Sequence, residues 1–439
     1  MDGRTGYNRT RWYLALAAVL VTTGAAAYAI GGGSGSEAGA GGAAKDFASV
    51  PLDAQGSAAV SPWVRYKPWP KTTWDNFNTL ATDGKSPPPP EPGAVRTVSA
   101  PVAGDPEKGR QLAFDRTRGG GCVTCHVMGP KSPELPGNVG PDLSEIGTAH
   151  ADGDEYLFNY IWDARVFNPE TVMPPWGAHG YYSEEEVRHM VAFLKTLNTP
   201  ASFKTELDDP NKRPTPVENR DWKDPFVNPA VATMEQGPTV FAKAGPNGKS
   251  CASCHADSGT FKGWAVAMPK WHDGMQKVIG VEEFVTRHAR ATMGADYKMQ
   301  GPENTTLSVY LRSLSNGMPI KVDTSAPGAK EAAERGKDLM VRKIGQQNFA
   351  CVDCHSADKG ALKWVRGQYL GLNEGQVKHF PTWRTSRDEI WDIRKRMQWC
   401  NVQIRANELP PDAKEYGELE LFLTSLSNGH PMEVPGIRH

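Results

Sequence analysis

Three copies of one five-residue motif constrain this 439-residue chain more than any other feature. Cys122-Val-Thr-Cys125-His126, Cys251-Ala-Ser-Cys254-His255 and Cys351-Val-Asp-Cys354-His355 each read C-x-x-C-H. In that pattern two thiols bond a porphyrin edge and the histidine ligates iron. Surface disulfides or thioredoxin-like pairs are the competing reading of such cysteines. The three motifs consume six of the seven cysteines, however, and that usage points to three covalently bound haem c groups. Each haem is a large apolar body around which a short helical segment can close. The expected fold class is therefore all-α, with three class I cytochrome c-like haem domains joined by Pro/Gly-rich linkers, the last two an internal duplication.

The remaining cysteine, Cys400, lies 45 residues after His355, among Arg394, Lys395, Arg396 and Arg405. An isolated cysteine is ordinarily a buried structural thiol. Basic neighbours favour a thiolate instead and attract anions, and the position is where a c-type domain presents its distal ligand. Cys400 is accordingly read as a haem-ligating thiolate.

Taken in order, residues 1–30 carry Arg4, Arg9 and Arg11, then an apolar run from Trp12 to Ile30 containing Ala27-Tyr28-Ala29. This is the pattern of a signal peptide or an N-terminal membrane anchor. C-type haem is attached outside the cytoplasm in bacteria, so the expected location is the periplasm. Residues 31–104 read as a flexible Gly/Pro-rich segment, with a Gly/Ala/Ser run, Trp63, Trp69 and Trp74, and Pro87-Pro88-Pro89-Pro90. Packing as an arm across a neighbouring domain is the default for its tryptophan stretch. The net charge of -1 gives no reason to expect nucleic acid as a partner.

The first haem domain spans 105–200. Asp105-Pro106-Glu107 is an N-cap followed by a first-turn proline, and Ser183-x-x-Glu186 is a capping box opening the closing helix. Between them, Asn168-Pro-Glu-Thr-Val-Met173-Pro174-Pro175 braces a methionine with prolines, which suits an axial thioether; a gap-filling core methionine is the alternative. Residues 201–234 form a proline-spaced linker. The domains at 235–325 and 326–439 repeat one another. Ser313-Leu-Ser-Asn-Gly-Met-Pro-Ile-Lys-Val322 recurs as Ser425-Leu-Ser-Asn-Gly-His-Pro-Met-Glu-Val434, an offset of 112. The same offset carries Cys400 back onto His288, which nominates His288 as the distal ligand of the second haem. Met293, five residues later, and a surface role for His288 remain as alternatives. The ligand pairs are then His126/Met173, His255/His288 and His355/Cys400.

With these residues located, the chain resembles the sulfur-oxidation cytochromes, as a SoxX-like domain fused ahead of a SoxA-like repeat. Gly137-Asn-Val-Gly-Pro141 and Asn168 to Pro174 resemble SoxX. Arg396-x-x-x-Cys400 with Arg405-Ala406, Glu418-Leu-Glu-Leu, Ser427-Asn-Gly429 and Pro435-Gly-Ile-Arg438 resemble SoxA. The resemblance implies oxidative coupling of thiosulfate to a cysteine of the SoxYZ carrier protein, with two electrons passed to a cytochrome c. It makes Cys400 the catalytic haem ligand, thiolate or persulfide, and gives Arg396 and Arg405 the task of holding the anionic substrate. In many diheme SoxA proteins the first haem also has a cysteine ligand, in a run ending Met-Gly-Ala. Here Met293-Gly-Ala295 is present, but the cysteine position is His288. Two other activities fit the same residues: a thiosulfate dehydrogenase forming tetrathionate, and a non-catalytic electron-transfer module in which Cys400 is a spectator.

Overall fold

Each C-x-x-C-H motif sits in a lobe built on one plan, in which an entering helix leads to the motif and a closing helix crosses back over the entrance. The computed structural model describes residues 79–82, 89–116, 120–130, 135–217, 219–365 and 367–438. All belong to one compact unit. The export segment expected at 1–30 lies outside the described residues, as do Trp63, Trp69 and Trp74. Among the described residues, no helix is long and apolar enough to cross a membrane.

The first lobe contains α1 (Pro106–Phe114), α2 (Asp154–Asp163) and α3 (Glu184–Leu194). The Asp105 carboxylate accepts hydrogen bonds from the Glu107 and Lys108 amides at 2.9 and 3.2 Å, satisfying donors that the first turn leaves unpaired. Ser183 and Glu186 form the reciprocal capping box of α3. The second lobe contributes α4 (Val281–Met293) and α5 (Pro302–Ser313). The third contributes α6 (Pro327–Val341), α7 (Ile393–Gln403) and α8 (Lys414–Ser425).

The crossings depend on glycine. A Cβ on Gly109 of α1 would lie 2.0 Å from the His189 carbonyl oxygen of α3, and one on Gly336 of α6 would lie 2.2 Å from the Glu418 carbonyl oxygen of α8. Both distances are too short for any side chain, so these glycines set how closely the helices approach.

The all-α expectation needs correction, because three small sheets are present among the described residues. Strands β1 (Lys270–His272) and β2 (Lys277–Ile279) form a hairpin, as do β3 (Trp364–Val365) and β4 (Gln368–Tyr369). In the third lobe β5 (Thr382–Arg384) pairs antiparallel with β6 (Glu389–Trp391) and parallel with β7 (Gly436–Arg438) near the end of the chain. These stretches are rich in aromatic and β-branched residues, which suit a pleated, half-buried surface. Nothing in a helical period could have predicted that the tail joins β5.

The sequence repeat pairs with its own copy. Asn316 donates to the Val434 carbonyl (2.6 Å) and accepts from the Val434 amide (2.8 Å). Asn428 makes the corresponding bonds to Val322, at 3.0 and 2.8 Å. This reciprocal pattern is that of an isologous interface, here within one chain. Around it Val309, Ile320 and Val322 share a core with Leu421, Met432 and Val434, so the two repeats are lobes of one body. Gly317 and Gly429, both at positive φ, serve this junction: their amides donate to the Met432 and Ile320 carbonyls, each at 2.9 Å.

The connecting segments are packed wherever they are described. Leu80, 2% exposed, enters the third lobe's core, and burial of a leucine stabilises by roughly 1.5–3 kcal/mol. Val98 and Val102 enter the first lobe's core. Within 31–104, the described residues Leu80, Val98 and Val102 are thus packed against these lobes. The 201–234 linker is likewise tied down: Asn138 donates to the Pro210 carbonyl at 3.2 Å, and Arg213 lies 4.5 Å over the Trp364 ring.

Candidate haem sites and the cavity at Cys400

The donor sets of the first and third motifs open on one cavity of about 1440 Å³, larger than the roughly 300–1,000 Å³ of an ordinary small-molecule pocket. Cys122, Cys125, His126 and Met173 line it from the first lobe; Cys351, Cys354, His355 and Cys400 line it from the third. His126 Nδ1 lies 2.8 Å from the Pro141 carbonyl oxygen, and His355 Nδ1 lies 2.8 Å from that of Gly371. A carbonyl only accepts, so each Nδ1 carries the proton and each Nε2 keeps the lone pair that a metal requires. Burial pushes the Cys122 thiol up to about 12. Burial, with the Cys400 charge second, does the same for Cys351 and raises Cys354 further. The residues present therefore fit haem at both positions.

Met173 is held by its loop: its amide donates to Thr171 Oγ1 at 3.0 Å, and the Thr171 amide donates to the Asn168 carbonyl at 3.0 Å. Its side chain is half-buried against the first lobe's core and faces the cavity.

The second motif lies outside this cavity. A one-turn helix, Cys251–Cys254, is capped reciprocally by Ser250 and Ser253. Across from it on α4, His288 stacks on Phe284, with ring centres 5.3 Å apart and planes 11° apart. The His255 and His288 ring centres are 6.2 Å apart. Two imidazoles bound to opposite sides of one ion, with bonds near 2 Å, would hold their centres roughly 6 Å apart, so this pair also fits haem. Met293, the alternative ligand, also approaches the motif. It is 1% exposed in the lobe's core, with its sulfur 3.7 Å from Cys251 Sγ.

Around Cys400 the basic residues divide by helical phase. Arg396 is one turn before Cys400 on α7 and lines the cavity with it. Arg394 turns the other way and is fully buried between Glu283 (3.0 Å) and Glu420 (2.7 Å), fastening α7 to α4 and α8. Lys395 is buried against Glu389. Arg405 is placed apart from this group. It follows α7 at φ 57°, donates to Gln346 Oε1 at 2.8 Å and lies 3.9 Å over the Tyr181 ring. It does not line the cavity, and these two contacts join the third lobe to the first.

Two residues missed as site candidates take that place. Arg384 and Arg438, at the ends of β5 and β7, are register partners, and both line the cavity. Burial and the nearby Arg396 push Arg384 down to about 9, which leaves it charged at neutral pH. His379, 1% exposed, accepts from Arg438 Nε at 2.8 Å. Burial, then Arg438, holds His379 well below the usual histidine range, so the imidazole is neutral. A strand-end arginine has no distinguishing mark in sequence. Only the tail motif ending in Arg438 offered a signal.

Fold and donors together define a multi-lobed c-type cytochrome. The SoxA/TsdA cytochrome c domain family matches residues 236–320 and 335–432, and the family of cbb3-type cytochrome c oxidase subunit III matches residues 113–194. The L-cysteine S-thiosulfotransferase subunit SoxA of Pseudaminobacter salicylatoxidans is 32% identical over 218 residues, covering 49% of this chain and 75% of the relative. The SoxA subunit of Chlorobaculum thiosulfatiphilum is 30% identical over 220 residues, covering 50% and 75%. The crystal structure of SoxXA from P. pantotrophus is 27% identical and covers 50% of this chain and 83% of that one, with a TM-score of 0.47. The chain belongs to the SoxA family, as a cytochrome of the SoxAX type.

Proposed function

We propose that this chain is a trihaem L-cysteine S-thiosulfotransferase of the periplasm that couples thiosulfate oxidatively to a cysteine of the carrier SoxYZ. Thiosulfate and the carrier's thiol join through a new sulfur–sulfur bond, releasing one proton and two electrons, and the electrons leave to a cytochrome c acceptor. Where the carrier bears a persulfide, its terminal S–H takes the thiol's part. The observation that carries this reading is the placement of Cys400 and Arg396, one helical turn apart, in the cavity shared by the His126 and His355 motifs.

The ligand pairs are His126/Met173, His255/His288 and His355/Cys400, with the 105–200 lobe in the role of SoxX. Haem held by these donors supplies one-electron redox chemistry, tuned upward by the Met173 thioether and downward by the Cys400 thiolate. Cys400 offers a sulfur that can exchange sulfur–sulfur bonds. Arg396 places a cation where a sulfur oxyanion arrives. Export follows from the basic and apolar segment at residues 1–30, as a signal peptide or inner-membrane anchor.

The test is Cys400→Met with Arg396→Ala, each assayed with thiosulfate in the presence and absence of the carrier. Intact mass should show three haems in both variants. Cys400→Met should keep a low-spin iron while carrier coupling falls severely, because a thioether ligates but cannot exchange sulfur. Arg396→Ala should mainly raise KM. Near wild-type coupling in Cys400→Met would make the cysteine a spectator in an electron-transfer module. The matching domain family also names TsdA, and carrier-independent formation of tetrathionate would assign the protein to thiosulfate dehydrogenases instead.

A further inference from the structure

Phe226 and Val217 are the two most exposed large hydrophobic side chains among the described residues, at 97% and 72%. Single exposed apolar residues are ordinary on a protein surface. Position distinguishes these two. Val217 and Val227, the latter 43% exposed, line the cavity that holds Cys400, as do Pro214 and Pro216. A side chain that lines a cavity and also faces solvent lies where the cavity opens. Pro214 to Val217 and Val227 therefore mark its rim, and Phe226 stands beside it.

The rim is fastened to the third lobe. Asn228, fully buried, donates from Nδ2 to the Trp222 and Pro435 carbonyls, each at 2.8 Å. Asn219 accepts from the Ile437 amide at 2.9 Å and donates to Glu433 Oε2 at 3.0 Å. Between these anchors the Asp224 carbonyl accepts from the Val227 and Asn228 amides at 3.0 and 2.8 Å, and the Asp224 carboxylate accepts from the Phe226 amide at 2.9 Å. Phe226 is thus presented by a hydrogen-bonded turn whose backbone is already ordered. A ring held in this way loses little freedom when a partner covers it, and such aromatic anchors dominate interface energies. The charges around it, Arg220, Asp221, Lys223 and Asp224, alternate in sign, so they set up no field of one sign to select a charged partner.

We propose that Phe226, with Val217 and Val227, is the docking contact for the carrier protein at the mouth of the Cys400 cavity. This rests on the reading that the chain couples thiosulfate to a carrier cysteine, and it names the surface that receives the carrier. The carrier's sulfur must enter the cavity to meet Cys400, so the protein around that sulfur lands on the rim. An apolar pocket beside the carrier's cysteine takes the Phe226 ring, and the two valines extend the contact inwards along the path the sulfur follows.

The experiment measures binding of the carrier SoxYZ, its cysteine blocked with iodoacetamide, to oxidised, fully haem-loaded protein by calorimetry, together with steady-state coupling by unblocked carrier. Phe226→Ser should raise the carrier Kd and the KM for carrier about ten- to a hundredfold, as expected for loss of an aromatic anchor. Val217→Ser should raise both by less, and Phe226→Trp should restore most of the affinity. The KM for thiosulfate and the haem spectra should not change. Unchanged carrier Kd and KM in Phe226→Ser would overturn the proposal. With that result, a lower Tm in the variant would assign the face to another segment of this chain, and loss of self-association in sedimentation would assign it to a second copy. Absence of carrier binding in the wild type would overturn the coupling reading and this surface with it, whereas binding that Phe226→Ser retains would overturn the surface alone.

Discussion

The Arg405 guanidinium lies 3.9 Å over the ring of Tyr181, which joins the residue following the Cys400 helix to the loop before α3 of the first lobe. Gln346 completes the contact: it accepts from Arg405 at 2.8 Å, its amide donates to the His179 carbonyl at 3.0 Å, and its own carbonyl lies 3.1 Å from His179 Nδ1. Arg405→Ala should therefore weaken the junction between lobes by about 1–2 kcal/mol while leaving KM for thiosulfate unchanged. Thermal unfolding and steady-state kinetics on the same preparation check this. A raised KM at unchanged Tm would return Arg405 to the substrate site.

His179 gives that junction a pH dependence. Burial, and then Arg165, push this histidine down to about 4, with Asp163 opposing. In the unfolded chain it takes up its proton near pH 6.5. Stability from this group is thus complete above about 6.5 and is lost progressively between there and pH 4, by on the order of 3 kcal/mol. Unfolding followed from pH 7.5 to 4.5 should show this loss, and His179→Gln should flatten it. An identical pH profile in the variant would show that other groups carry the acid sensitivity.

Removing either of two neighbours on α4 should produce opposite signatures. His288→Ala should alter the optical and electron-paramagnetic spectrum of one low-spin haem, because that ring faces His255. Met293→Ala should leave the spectrum unaltered and cost about 2–5 kcal/mol, as truncating a core methionine does. The reverse pattern would make Met293 the ligand.

Arg394 is predicted to matter for stability and not for substrate. Truncation to alanine leaves Glu283 and Glu420 buried with reduced compensation, a loss of about 3 kcal/mol or more. Denaturant titration should show that loss at unchanged KM. A variant as stable as wild type would mean that the pair is neutral in net effect.

The sequence by itself determined what is local or strictly repeated. The three motifs, the capping box at Ser183 and the N-cap at Asp105 follow from spacing along one element, and the repeat register that nominates His288 follows from a fixed offset. The helical period also paired Arg396 with Cys400. It could not rank Arg394, Lys395 and Arg405, because all are basic neighbours in sequence and only packing distinguishes a buried ion pair, a lobe junction and a cavity wall. Arg384 and Arg438 were beyond its reach for the same reason. Their adjacency is made by a parallel strand pair between distant segments, held by asparagines from a stretch that reads as mere linker. Tertiary structure decided these points because charge has no direction until the backbone is folded.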